Sequence, residues 1–313
     1  MRSRAGFRPQ AFASRKAAER VQNRSRTPRR RLFLGLLSFV CALAGSCSRS
    51  EAPAPSPDPA RARPARVVTL APNLTEIVFA VGAGEMLVGV SEYSDYPPEA
   101  RSLPRVGGLE VSAEKVVSLH PDLVLATPEG NAKGPVAALA AAGVPVLAVP
   151  GGSLAAVIAG IREVGRRLGR ADRANRLAAD LERRMEAVRS RVARSNRRPR
   201  AVLIIWPDPP QAAGGGTFLN DLLKEAGAEN LLADREGWPL VSPEWLVTAP
   251  IEVLVVPDSS QTRPAYERAF AAGPLSRGAA AAARVVRIDE SVLTRPGPRI
   301  FDALEKLAKE IAR

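Results

Sequence analysis

From residue 66 to the C-terminus the chain alternates short apolar runs with stretches whose apolar residues recur every three or four positions. RVVTLAP (66–72), MLVGVS (86–91), DLVLAT (122–127) and VPVLAVP (144–150) are of the first kind and predict buried strands. NLTEIVFAVGAG (73–84), with Leu74, Ile77, Val78 and Val81 on one face, predicts a helix that ends in Gly. SAEKVVSLHP (112–121) and PVAALAAAG (135–143) predict two more. Apolar strands alternating with helices define a mainly parallel sheet with helices on its faces.

The centre of the chain is helical throughout. SLAAVIAGIREVGRRLG (153–169) predicts a helix with Ser153 as its N-cap. ADRANRLAADLERRMEAVRSRVARS (171–195) contains no Gly or Pro and is rich in Ala, Leu, Arg and Glu. Leu177, Leu181, Met185, Val188 and Val192 form one apolar stripe, and charges fill the opposite face. At ~1.5 Å per residue this is a rod of roughly 37 Å, long enough to cross a small domain. Its Arg-rich face reads as solvated surface.

Beyond the rod the α/β pattern resumes. Strands are predicted at 201–206, in EVLVVPD (252–258) and in AAARVVRID (281–289). Helices are predicted in NDLLKEAGAENLL (220–232, broken at Gly227), SPEWLVTAP (242–250) and RIFDALEKLAKEIAR (299–313). The two halves are related. SAEKVVSLHPDLVLAT (112–127) aligns without a gap on SPEWLVTAPIEVLVVP (242–257), pairing Ser112 with Ser242, Glu114 with Glu244, and Asp122 with Glu252. Each copy is a capped short helix feeding a buried strand, with a Glu in its first turn where the helix dipole favours an acid. The two glutamates either support their helix ends or form a matched pair of docking charges on one face.

The N-terminus differs in kind. Residues 1–31 hold eleven Arg and Lys against the single acid Glu19, so most of the formal charge of +13 lies there and the rest of the chain is nearly balanced. That balance offers no phosphate-binding surface, so nucleic acid is not an expected partner. LFLGLLSFVCALAGS (32–46) is too short for a membrane span, which needs ~20 residues, and it follows a basic head. Residues 1–46 therefore read as a signal peptide. The order Ala44-Gly45-Ser46-Cys47 resembles a bacterial lipobox, in which Cys47 would take a lipid; Ala44 stands where Leu is usual. An ordinary cleaved signal is the alternative. Residues 47–65 would be the lipidated Cys and a Pro- and Ala-rich tether. The only other cysteine is Cys41, inside the apolar run, so a chain cut at Cys47 has no internal disulfide.

Candidate chemistry is sparse. The single histidine, His120, sits in an SLHPD turn at a helix end and reads as a capping or surface residue, so no metal site is expected. No G-x-S-x-G elbow occurs, which leaves an exported α/β hydrolase as a remote alternative without a catalytic residue to name. GGGT (214–217) lacks the Lys of a phosphate loop and reads as a flexible turn. The aromatic residues number fourteen, and several fall in loops: Tyr93 and Tyr96 in SEYSDYPPEA, Trp206 at the end of a strand, and Trp238 in REGWPLVS. Aromatics after strands can wall a ligand cleft at the carboxyl ends of a sheet.

These stretches carry a resemblance. RVVTLAPNLTEIVFAVGAG, VGVSEYSDYPPEA, SAEKVVSLHPDLVLA, WPLVSPEWLV and RPGPRI together resemble the cobalamin-binding members of the periplasmic substrate-binding proteins of bacterial ABC importers. The SDYPP core is the most specific; the other stretches recur among siderophore and haem receptors. The resemblance implies two Rossmann-like lobes, 66–152 and 199–313, joined through residues 153–198 by a single long α-helix. It implies a corrinoid bound non-covalently between the lobes. Tyr93 would lie against the corrin, with Trp238 and the loop Ser291, Val292, Leu293, Thr294, Arg295 contributing from the second lobe; Trp206 joins these ligand-contact candidates from its strand-end position alone. Glu114 and Glu244 would dock on arginines of the importer's permease, which works with its ATPase. The protein would be a monomeric, exported receptor with no enzymatic activity, held at the membrane by its lipid anchor alone. Family tryptophans in the first lobe are replaced here by Gly108-Leu109 and Thr127, and closing-loop aromatics by Val292 and Leu293. A ferric siderophore or haem is the alternative ligand; an anionic siderophore would call for several cleft arginines, of which Arg295 is the one candidate.

Overall fold

The computed structural model describes residues 63–108, 110–195 and 197–313. The signal segment, Cys47 and the tether as far as residue 62 lie outside the described residues. The first half runs β1 (Val67–Thr69), α1 (Pro72–Ala80), β2 (Leu87–Val90), α2 (Ala113–Ser118), β3 (Leu123–Ala126), α3 (Lys133–Ala141) and β4 (Val146–Ala148). The four strands form one parallel sheet in the order β2-β1-β3-β4. β1 and β3 are buried along their whole length, which is why they read as unbroken apolar runs. His120 closes α2 in the left-handed region at φ 45°, with its backbone N–H on the Val117 carbonyl.

Two long helices follow, α4 (Leu154–Arg167) and α5 (Ala171–Ala193). The Ser153 hydroxyl caps α4 by accepting the Ala156 N–H at 3.0 Å. The buried face of α5 is Ala174, Ala178, Leu181, Met185 and Val188, so the two alanines join the expected stripe while Leu177 and Val192 are only partly buried. The face opposite is less free than its charge pattern predicts. Arg184 reaches Asp302 and Glu305, Arg189 forks onto Glu225, and Arg170 and Arg173 hold the carbonyls of Gly82 and Ala80. Those guanidiniums tie the rod to both halves, because a long Arg can lie along apolar surface and still place its fork on a carboxylate.

The second half runs β5 (Arg200–Pro207), β6 (Pro210–Ala212), α6 (Phe218–Glu225), β7 (Glu229–Asn230), α7 (Pro243–Thr248), β8 (Val253–Asp258), α8 (Arg263–Ala272), α9 (Gly278–Ala282), β9 (Arg284–Asp289), α10 (Glu290–Leu293) and α11 (Ile300–Ile311). Its sheet has the order β6-β5-β8-β9, with β7 also paired to β5, and only β6 is antiparallel. The internal repeat is visible in register. β1 pairs β3 through Val67 and Leu123, and β5 pairs β8 through Ala201 and Val253. Asp122 accepts the Arg66 N–H at 2.9 Å, and its counterpart Glu252 accepts the Arg200 N–H at 3.0 Å. Ser112 and Ser242 cap their helices identically, each accepting a backbone N–H three residues on at 3.2 Å. One apolar cluster runs through both halves, joining Val67, Leu74 and Leu123 to Leu203, Val255 and Leu304 by way of α4 and α5.

Three details depart from the sequence reading. Helix α6 begins before residue 220, because Thr217 accepts the Asn220 N–H and sets the start. Residues 259–280, unassigned from their pattern, hold α8 and most of α9, which runs into the strand expected from 281 and delays it to Arg284; Tyr266 anchors α8 by donating its buried hydroxyl to the Ile204 carbonyl at 2.8 Å. The three glycines of GGGT form no loose turn. Gly214 and Gly215 hydrogen-bond the chain at Arg235 and Gly237, and a Cβ on Gly214 would run into the Arg235 carbonyl.

Candidate ligand cleft

A cleft of about 340 Å³ opens at the carboxyl ends of the first sheet, within the range of small-molecule sites. Its floor follows the strands: Leu70 to Asn73 after β1, Ser91 and Tyr93 after β2, Thr127 and Glu129 to Asn131 after β3, and Gly151 and Gly152 after β4. The far wall is Gly216, Thr217, Phe218, Gly237, Trp238 and Thr294 to Pro296.

Local sequence explains why these side chains stand where they do. In SEYSDYPP the serines turn inward: Ser91 bonds Ser94, Ser94 bonds Thr75, and Thr75 bonds Thr69, each link between 2.6 and 2.8 Å. Arg105 locks the same loop by donating to the carbonyls of Ser91 and Ser94. That buried chain of hydroxyls leaves Tyr93 facing outward, 50% exposed, with its ring against Gly108, where a Cβ would come within 2.9 Å of it. Asn131 braces the sheet edge, accepting the Thr127 N–H at 2.8 Å and donating to the Leu70 carbonyl at 2.9 Å. On the far wall Trp238, 40% exposed, meets Phe218 edge-on at 6.2 Å between centroids, a favoured aromatic geometry.

Asp95 and Tyr96 of the same motif face residues 295–299. Arg295 places Nη1 2.6 Å from Asp95 Oδ1 and 3.3 Å from Glu76 Oε1, and donates Nη2 to the Tyr93 carbonyl at 3.2 Å. Arg299 forks onto Glu76 at 2.9 and 2.5 Å and lies 4.0 Å above the Tyr96 ring. Burial is the largest single influence on Asp95 and works against its anion, but the hydrogen bond and charge of Arg295, with a backbone hydrogen bond and the charge of Arg101, together hold its pKa below the usual carboxylate range. The guanidinium of Arg295 is thus taken up by the protein itself.

Of the eight ligand-contact residues named from sequence, Tyr93, Trp238, Thr294 and Arg295 line the cleft. The others face elsewhere. Trp206 donates its indole N–H to the Asp208 carbonyl at 2.8 Å, because β5 turns into the β6 hairpin there and carries the ring away. Residues 290–293 form α10, whose turn buries Leu293, packs Val292 on the core, and leaves the Ser291 hydroxyl between Asp289 and Arg299. Sequence reasoning missed Phe218, Asn73, Glu129 and Asn131. The Thr217 cap would have located Phe218 at a helix start, whereas nothing in the pattern marked the other three. Glu114 and Glu244 are exposed in the first turns of α2 and α7, and neither has an ion-pair partner among the described residues. No group of three or more His, Cys, Asp or Glu among the described residues could hold a metal ion, and no helix among them is long and apolar enough to cross a membrane.

A mainly parallel α/β body with a largely apolar cleft at its strand ends defines a small-molecule binding protein. Comparison with known proteins makes the assignment specific. The chain belongs to the periplasmic binding protein family, whose model matches residues 67–291. It is 31% identical over 254 residues to the uncharacterized ABC transporter substrate-binding lipoprotein YvrC of Bacillus subtilis, covering 79% of this chain and 80% of that one. Among solved structures it is similar to the periplasmic haem-binding protein RhuT from Roseiflexus sp. RS-1, with a TM-score of 0.71 and 32% identity over 79% of this chain and 97% of that chain. The periplasmic vitamin B12-binding protein BtuF of Vibrio cholerae also gives a TM-score of 0.71, with 29% identity over 80% of this chain and 97% of that chain. The protein is therefore an exported, non-catalytic binding protein of this family.

Proposed function

We propose that this protein captures cobalamin or a related corrinoid between two α/β lobes, 66–152 and 199–313, and presents it to the permease of an ABC importer. The segment 153–198, with α5 as its long member, acts as the joint. The observation that carries the ligand assignment is the charge of the cleft. Among the described residues its only charged lining groups are Glu129 and Arg295, and Arg295 is engaged by Glu76 and Asp95. A corrinoid rim is covered with neutral amides, which suit the hydroxyls, Asn side chains and glycine backbone that line the walls. Haem and many siderophores carry carboxylates or catecholates that need free cations. Tyr93 on one wall and Trp238 with Phe218 on the other supply apolar faces for a flat macrocycle.

Haem is the second reading, favoured by the similarity to the Roseiflexus protein and by Tyr93, since a phenol oxygen can ligate haem iron. Calorimetric titration with cyanocobalamin, cobinamide, haemin and a ferric hydroxamate separates the two. Binding of cyanocobalamin or cobinamide well ahead of haemin supports the corrinoid reading, and absence of any corrinoid binding sinks it.

The remaining assignments follow the same architecture. Glu114 and Glu244, repeat-related and exposed, are the docking charges, one per lobe, that orient the receptor on its permease. Cys47 is the lipid attachment site, and residues 48–65 are the tether; the lipoprotein description of the Bacillus subtilis relative supports this. Cys47→Ser should move the protein from the membrane to the soluble fraction, and retention in the membrane would refute the anchor.

A further inference from the structure

We infer that Glu129 is a charge filter of the ligand cleft, turning away anionic chelates and accepting hydrogen bonds from neutral N–H donors on the ligand rim. The inference rests on the chelate-receptor reading above and adds the residue that sets selectivity within it.

Glu129 lies on the loop after β3 and reaches across to the loop after β4. Its Oε2 accepts the Thr127 hydroxyl at 2.7 Å, and its Oε1 accepts the Gly151 N–H at 3.2 Å. Two fixed donors on two strand-end loops hold the carboxylate in one orientation in the cleft lining. An ionised carboxylate offers about four lone-pair sites. Thr127 and Gly151 fill two of them, leaving acceptor capacity toward the cleft.

No cation offsets this charge. Glu129 makes no ion pair among the described residues, and the one guanidinium in the cleft lining is paired with Glu76 and Asp95. Glu76, Asp95, Arg295 and Arg299 balance among themselves, so the carboxylate of Glu129 sets the sign of the field inside the cleft. The Leu154 N–H at the start of α4 is already taken, by Asp221 Oδ2 at 2.8 Å. A ligand carboxylate brought within several ångströms of this exposed carboxylate meets repulsion worth on the order of tenfold in affinity per charge. An amide N–H meets an acceptor instead. The charge thus works against the wrong ligand as much as for the right one.

The test compares wild type with Glu129→Gln and Glu129→Lys, using haemin and cyanocobalamin as probes and thermal melts to confirm folding. Gln keeps an acceptor for Thr127 or Gly151 while removing the charge. Haemin affinity should rise on the order of tenfold in Glu129→Gln and further in Glu129→Lys, with no comparable gain for cyanocobalamin. In the wild type, haemin affinity should rise with salt as the repulsion is screened. Unchanged haemin affinity in both variants, or haemin affinity in the wild type that falls with salt, overturns the inference. Failure of the wild type to bind cyanocobalamin overturns the corrinoid reading instead, and the haemin series then still decides whether Glu129 repels anions.

Discussion

Replacing Glu76 by Gln removes one charge from a buried ion cluster, and its cost can be worked from the geometry. The Glu76 side chain is 1% exposed, and Arg295 and Arg299 beside it are 13% and 18% exposed. Its carboxylate receives Nε and Nη2 of Arg299 at 2.9 and 2.5 Å and Nη1 of Arg295 at 3.3 Å. Removing one partner of a buried pair costs ~3–5 kcal/mol because the other charge is left stranded. Gln keeps the size and one acceptor, and Arg295 keeps Asp95, so the lower end, ~3 kcal/mol, applies. For a body of this size each kcal/mol moves Tm by ~2–4 °C, which gives a fall of ~6–12 °C. Urea titration should show a lower midpoint with an unchanged slope. Glu310→Gln, which breaks an exposed pair with Arg313 one helical turn away, is the control and should cost less than ~1 kcal/mol. If Glu76→Gln also stays within ~1 kcal/mol of wild type, the cluster behaves as a surface pair and the reasoning fails.

Three further outcomes are expected. The Glu252 carboxylate is held down to about 2, mainly by the Arg200 backbone N–H and then by the Arg197 and Arg200 side chains. A depressed pKa stabilises the fold above the unfolded value near 4.5, so the stability gap between wild type and Glu252→Gln should be full at neutral pH and close as pH falls from about 4.5 toward 2; a gap independent of pH across that window contradicts the pairing. Trp238→Ala should weaken ligand binding by about tenfold, as loss of an aromatic wall does, with little change in melting because the ring is 40% exposed; an unaltered affinity removes Trp238 from the site. Glu114→Ala with Glu244→Ala should abolish ligand-dependent stimulation of the importer's ATPase while leaving ligand affinity within about twofold; a large affinity loss would place them in the cleft instead.

Much of the architecture was legible because its signals are local. Strands buried on both faces read as apolar runs, Ser153, Ser112 and Ser242 marked helix starts, and the repeat showed a capped helix feeding a buried strand in each half. The helices at 263–272 and 278–282 were not legible, since an Ala-rich stretch carries little apolar periodicity and Tyr266 acts through a tertiary bond to Ile204. The cleft was legible where aromatics fall in loops, as at Tyr93 and Trp238. It was misread where direction matters: a hairpin turned Trp206 away, and one short turn of helix put Leu293 into the core. Arg295 was identified as a cleft residue, but its partners Glu76 and Asp95 lie about two hundred positions away in sequence, so its neutralisation was invisible. That pairing changes the chemistry of the site from one that attracts anions to one that does not.

The central claim, a corrinoid held in this cleft, is tested most directly by colour. The purified protein is equilibrated with an equimolar mixture of cyanocobalamin and haemin, freed of unbound ligand by gel filtration, and its visible spectrum recorded. The account predicts corrin bands in about one-to-one stoichiometry with the protein. A haem Soret band in their place would contradict the corrinoid assignment, and a colourless protein would contradict capture of either chelate.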